Sequence, residues 1–339
     1  MTLITYPMRV HFADDVLEEV LHSELQRVRS RRVLLVFGAE LAEGELADRV
    51  RSGVPRGLRA DALCFAPGAD LRDLAAAAAG EERDTIIAFG SARAIELGRR
   101  CRLAQVARHR ARPDLFAVPG IDGLPSPSLC PVESARAGLP SVIVLDPTVA
   151  SGAGQGANLR TSVLSLIRCV ESYLAQAFNP PADGMALDGL SRSVAAMPRI
   201  GRREGGIALH RELMAASLNA VLSQEKGTGP AQVLSILLSR TGQAGDEAAI
   251  ARLVLPGLIR TRAVEAARAD VLRKVLGDTL EPLDRVLRKV LSDAALPATL
   301  TDIGIDRAAL DGAARAVTGM AGLTFGHARD VLEEVYEDA

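Results

Sequence analysis

The sequence predicts an α/β domain built on a parallel sheet, followed by an all-helical domain. Short apolar runs alternate with helical patterns over roughly the first 150 residues, whereas helical periodicity fills residues 158–339. The length of 339 residues also exceeds that of one typical domain. We therefore expect a first domain at residues 1–152 and a second domain at residues 153–339.

Four apolar runs rich in β-branched residues predict the strands of the first domain. Strands of this kind that alternate with helices form parallel sheets covered on both faces. The runs are residues 32–37, ended by Gly38; residues 85–90; residues 115–118, ended by Pro119 and Gly120; and residues 142–145.

Capping residues predict where two helices of the first domain begin. Asp70 precedes a helical pattern at residues 70–79, and Ser91 precedes one that runs through Ala94 and Leu97. Both side chains carry an oxygen that accepts from the first backbone amides of a helix.

Proline and glycine divide the second domain into separate helices. Breaks are predicted near Pro180–Pro181, at residues 201–206 and at residues 227–230. Residues 271–276 and 286–291 both read V-L-R-K-V-L, and the intervening Pro282 predicts two amphipathic helices instead of one.

Composition narrows the class of protein. The chain is 48% hydrophobic and 24% charged with a formal net charge of −2, which is typical of a globular protein and argues against nucleic acid as a partner. The arginine-rich stretch 99–112 is interpreted as a solvated helix face. The sequence shows no membrane span, no secretory signal and no C-x-x-C pair. We expect a cytoplasmic protein with reduced thiols and no membrane partner.

Three segments resemble one known family. Residues 142–148 read V-I-V-L-D-P-T, residues 159–173 read L-R-T-S-V-L-S-L-I-R-C-V-E-S-Y, and residues 297–305 read P-A-T-L-T-D-I-G-I. This arrangement resembles the iron-containing alcohol dehydrogenase family, especially its maleylacetate reductase branch. The resemblance implies a dehydroquinate synthase-like fold, in which a dinucleotide-binding α/β domain precedes an all-helical domain and the active cleft lies between them.

The same resemblance implies that the metal site of the family is lost. In the family a helix reading roughly G-M-D-A-L-A-H-A-I-E-A-Y binds a divalent metal through its Asp and His, and these positions hold Leu164 and Arg168. The family's further histidine positions hold Asn219, Ser223 and Ala231. Neither an aliphatic side chain nor a guanidinium offers a metal a lone pair. We therefore expect no bound metal.

Residues 88–99, A-F-G-S-A-R-A-I-E-L-G-R, resemble the family's phosphate loop, A-I-G-G-G-S-T-I-D-L-G-K. In the family the glycines let backbone amides approach a dinucleotide pyrophosphate at a helix N-terminus. Gly90 keeps the first glycine, Ser91 and Ala92 replace the next two, and Glu96 stands at the Asp position. The resemblance implies that these four residues bind NAD(H) or NADP(H). An ordinary capped helix without a ligand is the alternative.

Two further strand ends complete the implied coenzyme site. The family signature I-P-T-T-A-G-T-G-S-E falls on residues 118–125, where Pro119 is kept and both threonines are absent. Gly38 ends the first predicted strand, and Glu40 follows it. A carboxylate in this place accepts from an adenosine ribose and favours NAD over NADP, unless it is simply a solvated loop residue.

Arg168 is the predicted catalytic residue. If the helix register of the family holds, its guanidinium faces the cleft and binds the carboxylate or phosphate of a small anionic substrate. The alternative is a buried arginine paired with a nearby Asp or Glu.

Two hypotheses of different classes follow. The first is a metal-independent NAD(P)H-dependent oxidoreductase that reduces a small carbonyl or an activated enoate. The second is a catalytically silent homologue that serves as a binding or scaffolding subunit, because family glycines, threonines and histidines are lost. Sugar-phosphate cyclase chemistry of the dehydroquinate synthase type needs a metal and lysines, and the first 225 residues contain no lysine. The resemblance also implies a homodimer or a partnership with a related subunit.

Overall fold

The computed structural model describes residues 8–110, 112–121, 139–150, 153–241, 246–292 and 294–337. These residues form two compact units, which are described separately. One unit runs to Gly154 and includes Gly206–Met214, and the other comprises Gln155–Gly205 and the residues from Ala215 onward. The short segment 206–214, which the sequence placed in the helical domain, thus has its contacts in the first unit.

A six-stranded parallel sheet forms the centre of the first unit, with strand order β1-β6-β5-β4-β2-β3. The inner strands are buried along almost their whole length. The four predicted strands and the parallel α/β class are confirmed. The strands are β1 (Arg9–Phe12), β2 (Arg32–Gly38), β3 (Arg59–Phe65), β4 (Thr85–Gly90), β5 (Asp114–Pro119) and β6 (Val142–Leu145).

The two edge strands, β1 and β3, were not predicted. Each pairs with one neighbour only and leaves half or more of its residues partly or fully exposed. An edge strand therefore does not need the continuous apolar run by which a buried strand is detected.

Helices cover the sheet. The predicted caps are confirmed, because the Asp70 carboxylate accepts from the Arg72 amide at 2.6 Å and the Ser91 hydroxyl accepts from the Ala94 amide at 3.3 Å. One face of the sheet packs on the first helix through Leu17, Leu21 and Leu25 among others. The helices are α1 (Leu17–Arg27), α2 (Glu45–Gly53), α3 (Leu71–Ala78) and α4 (Ala92–His109).

α4 lies very close to the sheet. A Cβ on Gly98 would stand 2.6 Å from the Ala88 Cβ of β4 and 3.2 Å from a Leu115 methyl of β5, so only glycine fits at this crossing. The close approach also buries arginines of the stretch expected to be solvated. Arg99 and Arg102 are only 4% and 3% exposed, and that part of the expectation is wrong.

The second unit is all-helical, as predicted. Helices begin at Pro180 and Pro230. Proline is tolerated there because the first amides of a helix have no acceptor within the helix. Two separate helices flank Pro282. The helices from 155 on are α5 (Gln155–Leu174), α6 (Pro180–Gly201), α7 (Ile207–Ser223), α8 (Pro230–Ser239), α9 (Glu247–Arg260), α10 (Ala266–Leu276), α11 (Leu283–Ser292), α12 (Ala309–Ala316) and α13 (Phe325–Glu334).

The core of the second unit lies around α5. This helix buries residues on nearly every side, including Val163, Leu166 and Val170. α6 packs tightly on it at Gly189, where an added Cβ would stand 2.7 Å from the Cys169 Sγ. In the described part of the chain, no helix is both long and apolar enough to cross a membrane.

Candidate functional site

Three neighbouring strands bring Gly38, Gly90 and Pro119 to the carboxyl edge of the sheet. Gly90 and Pro119 are partners in the register of β4 and β5, and the Gly120 amide donates to the Gly90 carbonyl at 2.7 Å. β2, which ends at Gly38, lies on the other side of β4. Parallel α/β sheets bind their ligands outside this edge.

Gly90 requires its lack of a side chain for two reasons. Its φ of +92° lies in the left-handed region, where a Cβ is strained. A Cβ there would also collide with a methyl of Leu41, which follows β2. The glycine kept from the family motif therefore has a definite structural basis.

Ser91 and Ala92 begin the helix that follows Gly90. The Ser91 hydroxyl caps α4, and Ala92 is the first of its 18 residues. The N-terminus of a long helix carries partial positive charge and favours an anion. The backbone thus has the form of a phosphate loop, although two of its three family glycines are replaced.

The two predicted acidic positions differ in their surroundings. Glu96 forms ion pairs with Arg99 at 2.9 Å and Arg100 at 2.8 Å on the same helix. Glu40 is exposed, and its carboxylate lies close to Gly38, since a Cβ added to that glycine would collide with it. Their roles toward a coenzyme stay predictions. Residues 122–125 of the second family signature lie outside the described residues.

Arg168 lies in the interior of the helical unit, where it is 6% exposed. Burial lowers the pKa of its guanidinium, and the charge of Glu247 acts in the opposite direction. Glu247 opens α9 next to Asp246, whose carboxylate bonds Arg160 of α5 at 2.7 Å. The alternative of an arginine balanced by an internal acid therefore has a candidate in Glu247. The substrate-orienting role stays a prediction.

The other family metal positions are occupied by groups with structural roles. Leu164 packs against the core of the helical unit. The Asn219 amide donates to Asp188 at 2.6 Å, and the Ser223 hydroxyl donates to the Ala220 carbonyl at 2.9 Å.

One curated protein shows detectable sequence similarity. It is a 4-hydroxybutyrate dehydrogenase of Cupriavidus necator, 27% identical over 270 residues, which cover 69% of this chain and 69% of that protein. No family model matches the chain.

Similarity to solved structures extends over nearly the whole chain. An iron-containing alcohol dehydrogenase from Corynebacterium glutamicum superposes with a TM-score of 0.77 at 16% identity, covering 99% of this chain and 98% of its own. The chain has the fold of the iron-containing alcohol dehydrogenases.

Two further structures extend the comparison. A maleylacetate reductase from Agrobacterium tumefaciens gives a TM-score of 0.75 at 19% identity, with 99% of both chains covered. A sulfoacetaldehyde reductase from Bifidobacterium kashiwanohense in complex with NAD+ gives 0.81 at 13% identity, with 100% of both covered. The resemblance inferred from the motifs is thus confirmed at the level of the fold.

The residues that the motif resemblance places at the family's metal positions are a poor set of ligands for a divalent cation. The side chains of Leu164, Arg168 and Ala231 supply no ligand atom, which leaves one amide oxygen and one hydroxyl oxygen, both neutral. Among the described residues, no group of three or more His, Cys, Asp or Glu side chains is arranged to hold a metal. No step of the chemistry below is assigned to a metal.

Glu171 has a role that the sequence did not reveal. Its buried carboxylate accepts from the Ala231 amide at 2.7 Å and the Gln232 amide at 3.1 Å, and so caps α8 from α5. A Cβ on Gly229 would collide with this carboxylate. The sequence showed Glu171 only as a match to the family motif, because its partners lie about sixty residues away.

Asp146 was missed for the same reason. It directly follows β6, is fully buried, and accepts from the amides that open α1. His210 is also buried, at 2% exposed. Burial lowers its pKa despite a bond to the Pro147 backbone.

Proposed function

We propose that this protein is an NAD(P)H-dependent oxidoreductase that reduces a small carbonyl or an activated enoate without a metal ion. The observation that carries the proposal is the phosphate-loop geometry at Gly90: a left-handed glycine at the carboxyl edge, followed at once by the capped start of an 18-residue helix. The similarity to a dehydrogenase and the NAD+ bound in a structure of the same fold support the same reaction class.

The predicted coenzyme residues other than Glu96 each have a part in the proposal. The backbone at Gly90, Ser91 and Ala92 binds the pyrophosphate, and Pro119 and Gly38 border it from the neighbouring strands. Glu40 accepts from the adenosine ribose and favours NAD over NADP. When bound, a reduced nicotinamide supplies a hydride. A preference for NADPH over NADH in binding measurements would contradict the role of Glu40.

Arg168 is proposed to supply the positive charge that a metal supplies elsewhere in this fold. The motif resemblance places it at a family metal-ligand position on α5, and its guanidinium is poorly solvated. A desolvated guanidinium binds a carboxylate strongly and holds it in one orientation. A small anionic substrate, such as a keto acid, therefore suits the site.

Binding of NADH tests the coenzyme proposal directly. We expect calorimetry to show binding by the wild type and at least tenfold weaker binding by Gly90→Ala, about 1.4 kcal/mol, because a Cβ crowds the close approach of the phosphate to the loop backbone. Gly57→Ala is the control, since Gly57 has a similar φ of +101° but open space around it. Absence of NADH and NADPH binding by the wild type at millimolar ligand would reject the proposal.

Substitution of Arg168 tests the metal-free mechanism. We expect protein treated with EDTA to keep its activity, and Arg168→Met to lose roughly 10- to 100-fold in kcat/KM for a keto acid, the value of a charge-assisted hydrogen bond. A neutral aldehyde is the control substrate, and its kcat/KM is expected to change much less. Loss of wild-type activity in EDTA, with recovery on adding zinc or iron, would refute metal independence.

A catalytically silent binding or scaffolding subunit is the second candidate. The specific observation in its favour is that Leu41 and Glu40 cover the two glycines at the sheet edge. Steady oxidation of NADH with any keto acid would exclude it. In either case we propose a homodimer or a complex with a related subunit. Light scattering tests this, and the mass of a monomer, both for the protein alone and for its mixture with that subunit, would contradict it.

A further inference from the structure

The short segment after β2 lies over the phosphate loop. Residues 39–44, here called the 39–44 segment, begin with a single helical turn at Ala39–Leu41. A Cβ placed on Gly90 would collide with one Leu41 methyl and stand 3.6 Å from the Leu41 Cγ. The Leu41 side chain therefore occupies the space directly above the left-handed glycine.

This contact is tied to the rest of the first unit. Leu41 packs against the same hydrophobic core as α1 and β2. The Ala42 amide donates to the Ala39 carbonyl at 3.2 Å, and Arg51 of α2 donates to the Ala42 carbonyl at 3.0 Å. The Leu41 methyl is thus held over Gly90 by packing, by one hydrogen bond within its segment and by one from Arg51.

An apolar cover is the wrong surface for a phosphate. The backbone at Gly90 binds a pyrophosphate only if the phosphate oxygens approach it closely. Hydrogen bonds from its amides must then replace the water that the oxygens give up. A methyl in that space removes solvent without offering a donor. The Glu40 carboxylate over Gly38 adds negative charge on the next strand.

We infer that Leu41 sets the affinity of this site for a dinucleotide, because its side chain must move before a pyrophosphate reaches Gly90. The inference rests on the proposed coenzyme function. Coenzyme binding is opposed by the lost packing of Leu41 on the core. Shortening this side chain removes that opposition and uncovers the loop.

The test compares NADH affinity in three variants by calorimetry. Leu41→Ala is expected to bind NADH about tenfold more tightly than the wild type. Leu41→Met keeps the bulk and is expected to match the wild type. Leu46→Ala removes the same number of carbons from the same core but is not among the side chains that a Cβ on Gly90 would meet, so its affinity is expected not to change. Thermal melts show that each variant is folded.

The outcomes separate this inference from the proposed function. Binding by Leu41→Ala but not by the wild type supports the inference and removes the coenzyme from the wild-type function. Binding by the wild type with equal or weaker binding by Leu41→Ala overturns the inference and leaves the coenzyme function in place. No binding by either protein overturns both. A gain in Leu46→Ala equal to that in Leu41→Ala also overturns the inference, because general loosening would explain it.

Discussion

Replacing Asp146 by alanine is expected to destabilise the first unit by about 3–5 kcal/mol, because three backbone amides and one hydroxyl lose the buried carboxylate that accepts their hydrogen bonds. Asp146 is fully buried at the end of β6. One of its oxygens lies 3.2 Å from Arg49 of α2. The substitution removes one partner of that guanidinium, which keeps its ion pairs with Glu18 at 2.5 Å and Asp15 at 2.9 Å.

The same carboxylate organises the start of α1. It accepts from the amides of Asp15 and Val16 at 2.9 Å each and of Leu17 at 3.2 Å, and from the Thr148 hydroxyl at 2.6 Å. No side chain of the preceding residues caps this helix. Burial alone would raise the pKa of Asp146, but the Thr148 hydroxyl and these amides outweigh it and hold the pKa below its usual range.

Equilibrium unfolding in urea measures the effect on the free energy of unfolding. Asp15→Asn is the matched control, because Asp15 also bonds Arg49 at 2.9 Å but its side chain is 82% exposed, and we expect a change below about 1 kcal/mol. Asp146→Asn keeps the shape and loses the charge, so it should fall between the two. A loss for Asp146→Ala no larger than that for Asp15→Asn would contradict the argument.

Features fixed by neighbouring residues were predictable from the sequence. The caps at Asp70 and Ser91 act on amides two or three residues away. Pro282 stands directly before the helix that it separates from the preceding one. The inner strands were found because burial on both faces requires a continuous apolar run. β1 and β3 were missed, since an edge strand tolerates exposed polar residues.

The candidate site was predictable only in part. Gly90 was identified by its motif, but Leu41, which covers it, follows a different strand about fifty residues earlier. Asp146 bonds residues 15–17, and its partner Arg49 lies on another helix. Such contacts depend on the order of strands in the sheet, which local patterns do not encode.

Glu171 is expected to make the stability of the protein fall as the pH rises toward neutrality. Burial raises the pKa of this carboxyl to about 7, although the amides of Ala231 and Gln232 and the charge of Arg262 favour the anion. The unfolded chain has a pKa near 4.5 at this residue. Between these two values the folded state binds a proton that the unfolded state has released, so stability decreases with increasing pH.

The size of the effect follows from the shift. Raising a pKa from 4.5 to about 7 corresponds to a loss of roughly 3 kcal/mol between pH 4.5 and pH 8. His210 acts in the opposite direction, because its lowered pKa makes the folded state gain stability with pH up to its usual value of 6.5. The pH dependence of the free energy of unfolding of the wild type therefore contains contributions from both groups.

Glu171→Gln isolates the carboxyl, since glutamine keeps an acceptor for α8 and cannot ionise. The free energy of unfolding of the wild type minus that of Glu171→Gln is expected to fall steadily as pH increases from 5 to about 7 and to level off above that pH. His210 is present in both proteins and cancels in the difference. A difference that stays constant across this range would mean that Glu171 is ionised throughout, with the two amides and Arg262 outweighing its burial. In that case α8 would be held by a permanent charge at its N-terminus, and the helix cap would not depend on pH.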